Sequence, residues 1–397
     1  MLAKFVWRAL TEIDPRLLWK FAVNCGLGAV HSVAMFKARL RRGRYFPPFL
    51  FISVTSSCQL RCQGCWVDVD RPRRMIPPAR LDALIGAAER LGNRFFGILG
   101  GEPLLYEGLP DILAAHPRSY FQLFTNGHLL TDEYCRRLRR LGNVTPLVSI
   151  EGSETVSDLR RGRHNVLAQT LEGLENCRRH RLITGVATSV CRNNIDDLVS
   201  EQWLRRLIDL GVHYVWYYLY RPVGPRPEPQ LALSMEQALA VRRFIVEMRC
   251  RMPIGIIDAY WDDKGESLCP MATGVSHHIS PGGDVEPCPV IQFAVENIAE
   301  ARPLYELVSR SRFLADLRAA AARATRGCVL LERPDVLLEV VRRHRARDTT
   351  QRGTALAELE AMKPMSSQYT PGALIPEKSR LYRFAKKHWF FGFGAYA

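Results

Sequence analysis

The chain has 397 residues, 47% apolar and 24% charged; these are globular values, with room for one large domain and a smaller one or for a decorated barrel. Its 11 cysteines fall in clusters and singly, not as a secreted disulfide framework, so a reducing, cytoplasmic compartment is expected. A net charge of +15 invites a nucleic-acid partner, but no nucleic-acid-binding module is visible and none is expected.

The positive charge is concentrated at the two ends. Residues 1–50 hold nine Lys or Arg against Glu12 and Asp14, and residues 377–397 hold five against Glu377. Residues 1–48 read as a basic helical segment. Asp14-Pro15 is a helix start, an acceptor at the N-cap followed by proline at the first helical position. Leu17, Leu18, Phe21 and Ala22 are placed on one face. Lys20, Asn24, His31 and two glycines interrupt residues 17–36, so neither a transmembrane span nor a cleavable signal peptide is read there. Pro47-Pro48 ends the segment.

Strands are predicted near 49–55, 94–99, 119–125, 145–150, 183–190 and 213–220. Helices are predicted near 77–92, 108–115, 130–141, 164–180 and 197–210. Six strands alternating with helices imply parallel βαβ units, whose chemistry sits at the strands' carboxyl ends. Cys58, Cys62 and Cys65, spaced CxxxCxxC, follow the first strand. Three soft ligands on a tight loop suit a four-iron cluster with one iron left open. A zinc knuckle or buried thiols are the alternatives, but zinc wants a fourth Cys or His close by, and residues 50–110 contain no His. Gly100-Gly101-Glu102-Pro103 follows the second strand, with glycines that let the backbone approach a ligand and a carboxylate that can accept from an ammonium group. Thr125-Asn126-Gly127 follows the third strand; Asn126 reads as a turn residue in a left-handed conformation. Ser149 and Glu151 end the fourth.

RPVGPRPEPQ at 221–230 is a break. Beyond it, 231–250 reads as a helix, 254–300 as irregular or β-rich, and 302–347 as Arg-rich helix interrupted at Gly327-Cys328 and Pro334. Pro281-Gly-Gly-Asp284 reads as a hairpin turn that brings Cys269 and Cys288 together; Cys328 follows a long helical gap. His277 and His278 read as structural, and Cys25, Cys135, Cys177 and Cys191 as core or surface thiols. The chain ends with Trp389 to Tyr396 after Lys386-Lys387-His388. Aromatic rings beside lysines have the composition of an interfacial anchor, and Phe5, Trp7, Leu17, Leu18 and Phe21 beside Lys4, Arg8 and Arg16 repeat it, so peripheral attachment to an anionic, cytoplasmic membrane face is expected.

CxxxCxxC followed by GGEP resembles the radical S-adenosylmethionine (SAM) superfamily, and ISPGGDVEPCP resembles the hairpin of its SPASM/twitch branch. The resemblance implies an α/β fold: a partial (β/α)6 TIM-like barrel at 49–222, a twitch/SPASM-like module at 231–347 and a basic aromatic tail at 348–397. It implies a 4Fe-4S cluster on Cys58, Cys62 and Cys65 whose open iron chelates SAM. Gly100, Gly101, Glu102 and Pro103 would line the methionine amino group, with Asn126 nearby. Ser149 and Glu151 would stand near the ribose and carboxylate, with Glu where Asp is commoner. Arg161, or Arg160 in competition, would clamp the carboxylate. One auxiliary 4Fe-4S cluster is implied on Cys269, Cys288 and Cys328, its missing ligand supplied by Cys250, a His or Asp, or substrate. The implied reaction is reductive cleavage of SAM to a 5′-deoxyadenosyl radical that abstracts hydrogen from an unactivated C–H bond, with electrons from a ferredoxin or flavodoxin. The substrate expected is an apolar, lipid-like small molecule; a peptide or protein is the alternative. A non-catalytic iron–sulfur or zinc protein is the reading from another class.

Overall fold

The computed structural model describes residues 2–389; the aromatic tail beyond Trp389 lies outside them. The six predicted strands are present as β1 (Phe49–Ser53), β2 (Phe95–Leu99), β3 (Tyr120–Thr125), β4 (Val144–Ser149), β5 (Gly185–Val190) and β6 (Tyr214–Leu219). Neighbours pair in parallel, from Phe49 opposite Phe95 to Leu219 opposite Val190. Their apolar runs are largely buried, with side chains such as Phe51, Phe124 and Trp216 turned to a central cavity. The helices predicted between them are also present, as Pro78–Arg90, Leu109–Ala115, Asp132–Leu141, Val166–Arg179 and Glu201–Asp209.

The sheet is wider than six strands. After the helix Met235–Arg251, β7 (Gly255–Ile257) pairs in parallel with β6. Then β8 (Ser276–Ile279) pairs in parallel with β1, and β9 (Val285–Glu286) turns back antiparallel onto β8. The segment after the proline-rich break therefore extends both edges of the barrel sheet, giving the order β7-β6-β5-β4-β3-β2-β1-β8-β9. The β8–β9 connection is the predicted Pro-Gly-Gly-Asp turn, with Gly283 at φ +84°.

Two helices precede the sheet: α1 (Leu2–Glu12) and α2 (Pro15–Arg41), the latter continuous through a π-helical stretch at Phe21–Leu27. Asp14 caps α2, accepting from the Arg16 amide at 2.9 Å, with Pro15 at its first position. Cys25, Ala29, Val33 and Phe36 bury against Phe49, Phe95 and Tyr120, the first residues of β1, β2 and β3. Thus α2 caps the amino-terminal end of the sheet. Leu17 faces inward as expected, but Ala22 is exposed, because five residues on at α-helical spacing it lies about 140° round the helix from Leu17.

The C-terminal helix, Arg380–His388, packs Ala385 on Ile257 and Ala259, which also touch the cluster around Trp216 inside the barrel. Trp389 then reaches α2, edge-on to Phe21 and donating to the Cys25 carbonyl. Lys386 and Arg8, expected to be free for an anionic surface, are instead buried. Arg8 bonds to Glu12 and to the carbonyls of Ile208, Val212 and Pro253. Lys386 lies 2.8 Å from Asp258, in a buried group with Arg242, Arg249 and Glu377. Burial would raise the Asp258 carboxyl pKa, but Lys386, Arg249 and Arg242 together hold it well below the usual range. Asp258→Ala leaves three buried cations facing Glu377 alone; a loss of about 3–5 kcal/mol is expected, read as a lower urea midpoint.

Candidate active site

Strand β1 delivers the cysteine loop, and backbone bonds hold that loop on three sides. The Gly101 and Glu102 amides donate to Thr55 and Ser57, both at 2.7 Å. The Arg61 and Gln63 amides donate to the carbonyls of Arg161 and Arg160 at 3.2 and 2.9 Å, and the Gly64 amide donates to Arg226 at 2.7 Å. There is no slack in these contacts. A Cβ on Gly101 would overlap the Ser57 carbonyl, and one on Gly224 would overlap the Cys65 carbonyl.

Donors converge on the sulfurs: the Leu60 amide lies 3.4 Å from Cys58 Sγ and Arg161 Nη1 lies 3.7 Å from Cys62 Sγ. Burial, reinforced by the neighbouring thiols, pushes Cys58 up to about 11 and Cys65 up to about 12. Such thiols keep their protons until a cation displaces them. Among the described residues no three Cys, His, Asp or Glu side chains are gathered around one ion position. Soft thiols on one loop, with amide and guanidinium donors to sulfur, are a donor set that fits an iron–sulfur cluster.

Glu102 is fully buried and accepts from Thr125 Oγ1 at 2.7 Å, the Asn126 amide at 2.8 Å and the Leu104 amide at 3.1 Å. Burial lifts its pKa to about 7 against these bonds. Its carboxylate ties the GGEP turn to the end of β3; Gly100 and Gly101 line the central cavity, whereas Glu102 and Pro103 do not. Asn126 lines the cavity and accepts from Gln59 at 3.2 Å. The left-handed residue of its turn is Gly127, at φ +88°, not Asn126 as the sequence suggested. Ser149 and Glu151 also line the cavity.

The two arginines have separate work. Arg161 pairs with Glu151 at 2.8 Å and donates to Cys62. Arg160 is only 3% exposed and lies over the Tyr220 ring at 4.6 Å, with no protein partner for Nε or Nη1. Unpaired buried donors cost about 1–3 kcal/mol each. Arg160 Nη2 lies 3.8 Å from Glu151. Both arginines line the cavity, and a carboxylate bound there would satisfy the open donors of Arg160.

The cavity, of about 400 Å³, is lined by Cys58, Cys62 and Cys65 and also by Cys269, Cys288 and Cys328. Phe51, Phe124, Trp216 and Tyr218 are part of its wall. Burial, with Cys328 alongside, pushes Cys269 up to about 11, and burial with both neighbours raises Cys288. The two triplets therefore face one chamber. Arg221 stands beside the second, stacked over Tyr260 at 5.1 Å and donating to Gln368 at 2.6 Å. Sequence reasoning did not single out Arg221, although its place directly after β6, at a strand's carboxyl end, was the signal for it. Cys250 is exposed and outside the lining. His277 is held by Tyr45 and the Pro287 carbonyl, and His278 by Ser53 and Glu286.

Residues 52–200 match the family described as the Radical SAM superfamily. That stretch, which holds the first cysteine loop and the GGEP turn, is the part of the chain that matches a radical SAM domain. Among curated proteins it is similar to an Fe-coproporphyrin III synthase of Methanosarcina barkeri, 27% identical over 157 residues, which cover 38% of this chain and 39% of that protein. It is also similar to a PqqA peptide cyclase of Streptomyces rochei, 27% identical over 285 residues, or 67% of this chain and 76% of that one. Among solved structures, Streptococcus suis SuiB bound to precursor peptide SuiA shares the fold, with TM-score 0.60 and 14% identity over 71% of this chain and 69% of its own. A match to this superfamily implies a 4Fe-4S cluster and SAM as cofactors.

Gly101→Ala should push the cysteine loop out of register. After anaerobic reconstitution, lower iron per chain is expected, with far-ultraviolet circular dichroism unchanged. Iron equal to the parent's would mean that the loop has room to yield.

Proposed function

We propose that the chain is a radical SAM enzyme that modifies a peptide or protein by hydrogen abstraction from an unactivated C–H bond. The observation that carries this reading is the single aromatic-walled cavity shared by both cysteine triplets. Cys58, Cys62 and Cys65 would hold the SAM-binding cluster. Cys269, Cys288 and Cys328 would hold an auxiliary 4Fe-4S cluster with one position open; Cys250 is exposed and does not line the cavity. When bound, cluster and SAM supply reductive carbon–sulfur cleavage and hydrogen abstraction; the cofactors carry that chemistry.

The protein supplies position and dryness. The Leu60 amide and Arg161 stabilise thiolate sulfurs. Gly100 and Gly101 give SAM a close backbone approach, and Arg160 offers its unpaired donors to the carboxylate. Phe51, Phe124, Trp216 and Tyr218 keep water from the reacting carbon. Arg221, beside the second triplet, is placed to orient an anionic or carbonyl group of the substrate. A ferredoxin or flavodoxin is the proposed electron donor.

The peptide reading draws on the similarity to the PqqA peptide cyclase and on the fold shared with the SuiB–precursor peptide complex. The lipid-like substrate expected from the sequence has only the aromatic wall in its favour, and an aromatic wall suits an apolar peptide side chain equally well. With dithionite and SAM, the reconstituted protein is expected to form 5′-deoxyadenosine, and Cys58→Ala to form none. A Cys58→Ala variant as active as the parent would overturn the assignment. Replacing Cys58, Cys62 and Cys65 together by Ala should leave roughly four irons per chain, one cluster's worth; iron near zero in the folded variant would remove the auxiliary cluster.

A further inference from the structure

The helices at the amino-terminal end of the sheet carry an apolar outer surface that the catalytic reading does not use. On α1, Leu2, Val6, Trp7 and Leu10 share one exposed face, with Trp7 69% exposed. On α2 the outward side reads Trp19, Ala22, Leu27, Val30 and Ala34 at helical spacing, all exposed, with Trp19 at 70% and Leu27 at 68%. The C-terminal helix packs against α2 and adds exposed Leu381 and Phe384. Large side chains this open, in runs rather than singly, mark an interaction surface.

Charge narrows the choice of partner. Exposed Arg16 lies at one end of the α2 stripe and exposed Arg41, Arg42 and Arg44 at the other, and residues 15–44 contain no Asp or Glu. Exposed Arg380 and Arg383 flank Leu381 and Phe384, with no acid between 378 and 389; Lys387 is paired with Asp263 at 3.1 Å. The two acids of the first 44 residues are engaged, Glu12 with Arg8 and Asp14 with Arg139. An apolar stripe with arginines at both ends and no acid along it complements the acyl chains and phosphates of an anionic bilayer.

Spanning is a different matter. At 27 residues α2 is long and apolar enough to cross a bilayer, but its inner side, Cys25, Ala29, Val33 and Phe36, is buried on the starts of β1 to β3. A helix fixed along the barrel by one face presents only the other to lipid.

We propose that the face formed by α1, α2 and the C-terminal helix docks on an anionic membrane surface, lying in the interface without crossing it. Docking by the amino-terminal end of the sheet leaves the cavity, at the carboxyl ends, directed towards the aqueous side, where a peptide arrives.

The test is co-sedimentation of the full chain with vesicles of phosphatidylcholine alone and of equal parts phosphatidylcholine and phosphatidylglycerol. Pelleting with the anionic vesicles, reduced in high salt, is expected. Trp19→Asp with Leu27→Asp should weaken binding by more than about tenfold. Should that pair fail to fold, Arg41→Gln, Arg42→Gln and Arg44→Gln remain, each worth about fivefold on anionic vesicles. Equal recovery in the supernatant with and without vesicles overturns the proposal. So does a dimer that the Trp19→Asp, Leu27→Asp pair splits while vesicle binding is unchanged, which would assign the face to a second copy. 5′-Deoxyadenosine formation in these variants reports separately on the catalytic reading.

Discussion

The constraint on which the site depends is the absence of slack around one loop. Three thiols must be presented together, and burial resists the charge they need for metal binding. The chain meets this by bonding the loop's backbone to the GGEP turn, to the end of the helix Glu154–Arg161 and to Arg226 in the proline-rich break. Those anchors come from distant parts of the sequence, so the loop is correctly shaped only when the sheet around it is complete. Glu102 belongs to the same device. Its buried carboxylate spends its acceptors on Thr125, Asn126 and Leu104 and so locks the second strand's turn to the third's.

Much of this arrangement was legible in the residues. The six core strands are largely buried apolar runs, and their turns carry the polar and glycine residues that mark carboxyl ends, so strand positions and motif positions agree. The Pro-Gly-Gly-Asp hairpin was legible because its turn chemistry is local. What escaped was decided by tertiary packing. Strand β7 is three residues long and β9 two, too short for any periodicity, and their place at the sheet's edges comes from partners far away in sequence. Nothing local separates Arg160 from Arg161. Only the fold gives one a sulfur and a 2.8 Å contact with Glu151, and leaves the other a 3.8 Å contact with Glu151 and two open donors. Lys386 reads as one of a cluster of surface cations until Asp258, 128 residues away, is brought beside it.

A partial barrel has edges and ends that must be closed, and different parts of this chain close them. Strands β7 and β8 occupy the two edges of the six-stranded sheet. The amino-terminal end is capped by α2, whose aromatic and aliphatic side replaces water at the starts of three strands. The inner side of β7 is covered by the C-terminal helix, held by a buried ion group in which cations outnumber carboxylates. A buried charge group of this kind adds little net stability compared with an apolar one, but breaking it is costly, so it fixes the helix in one seat more than it strengthens the fold.

These closures explain how an exposed apolar face at one end and a thiol-lined cavity at the other coexist in one chain. Bonds between consecutive parallel strands leave carbonyls and turns at the carboxyl ends, and there the chain places thiols, arginines and glycines around a cavity. At the amino-terminal end the strand starts are apolar and need a cover. A single helix supplies it by burying one side, and its length then commits the opposite side to solvent or to lipid. Because Cys25, Ala29, Val33 and Phe36 already satisfy the barrel, selection for packing has no hold on Trp19, Leu27 or Val30. Their exposure therefore calls for a cause outside the fold, and the arginines at both ends of the stripe supply the sign of the charge that cause must carry.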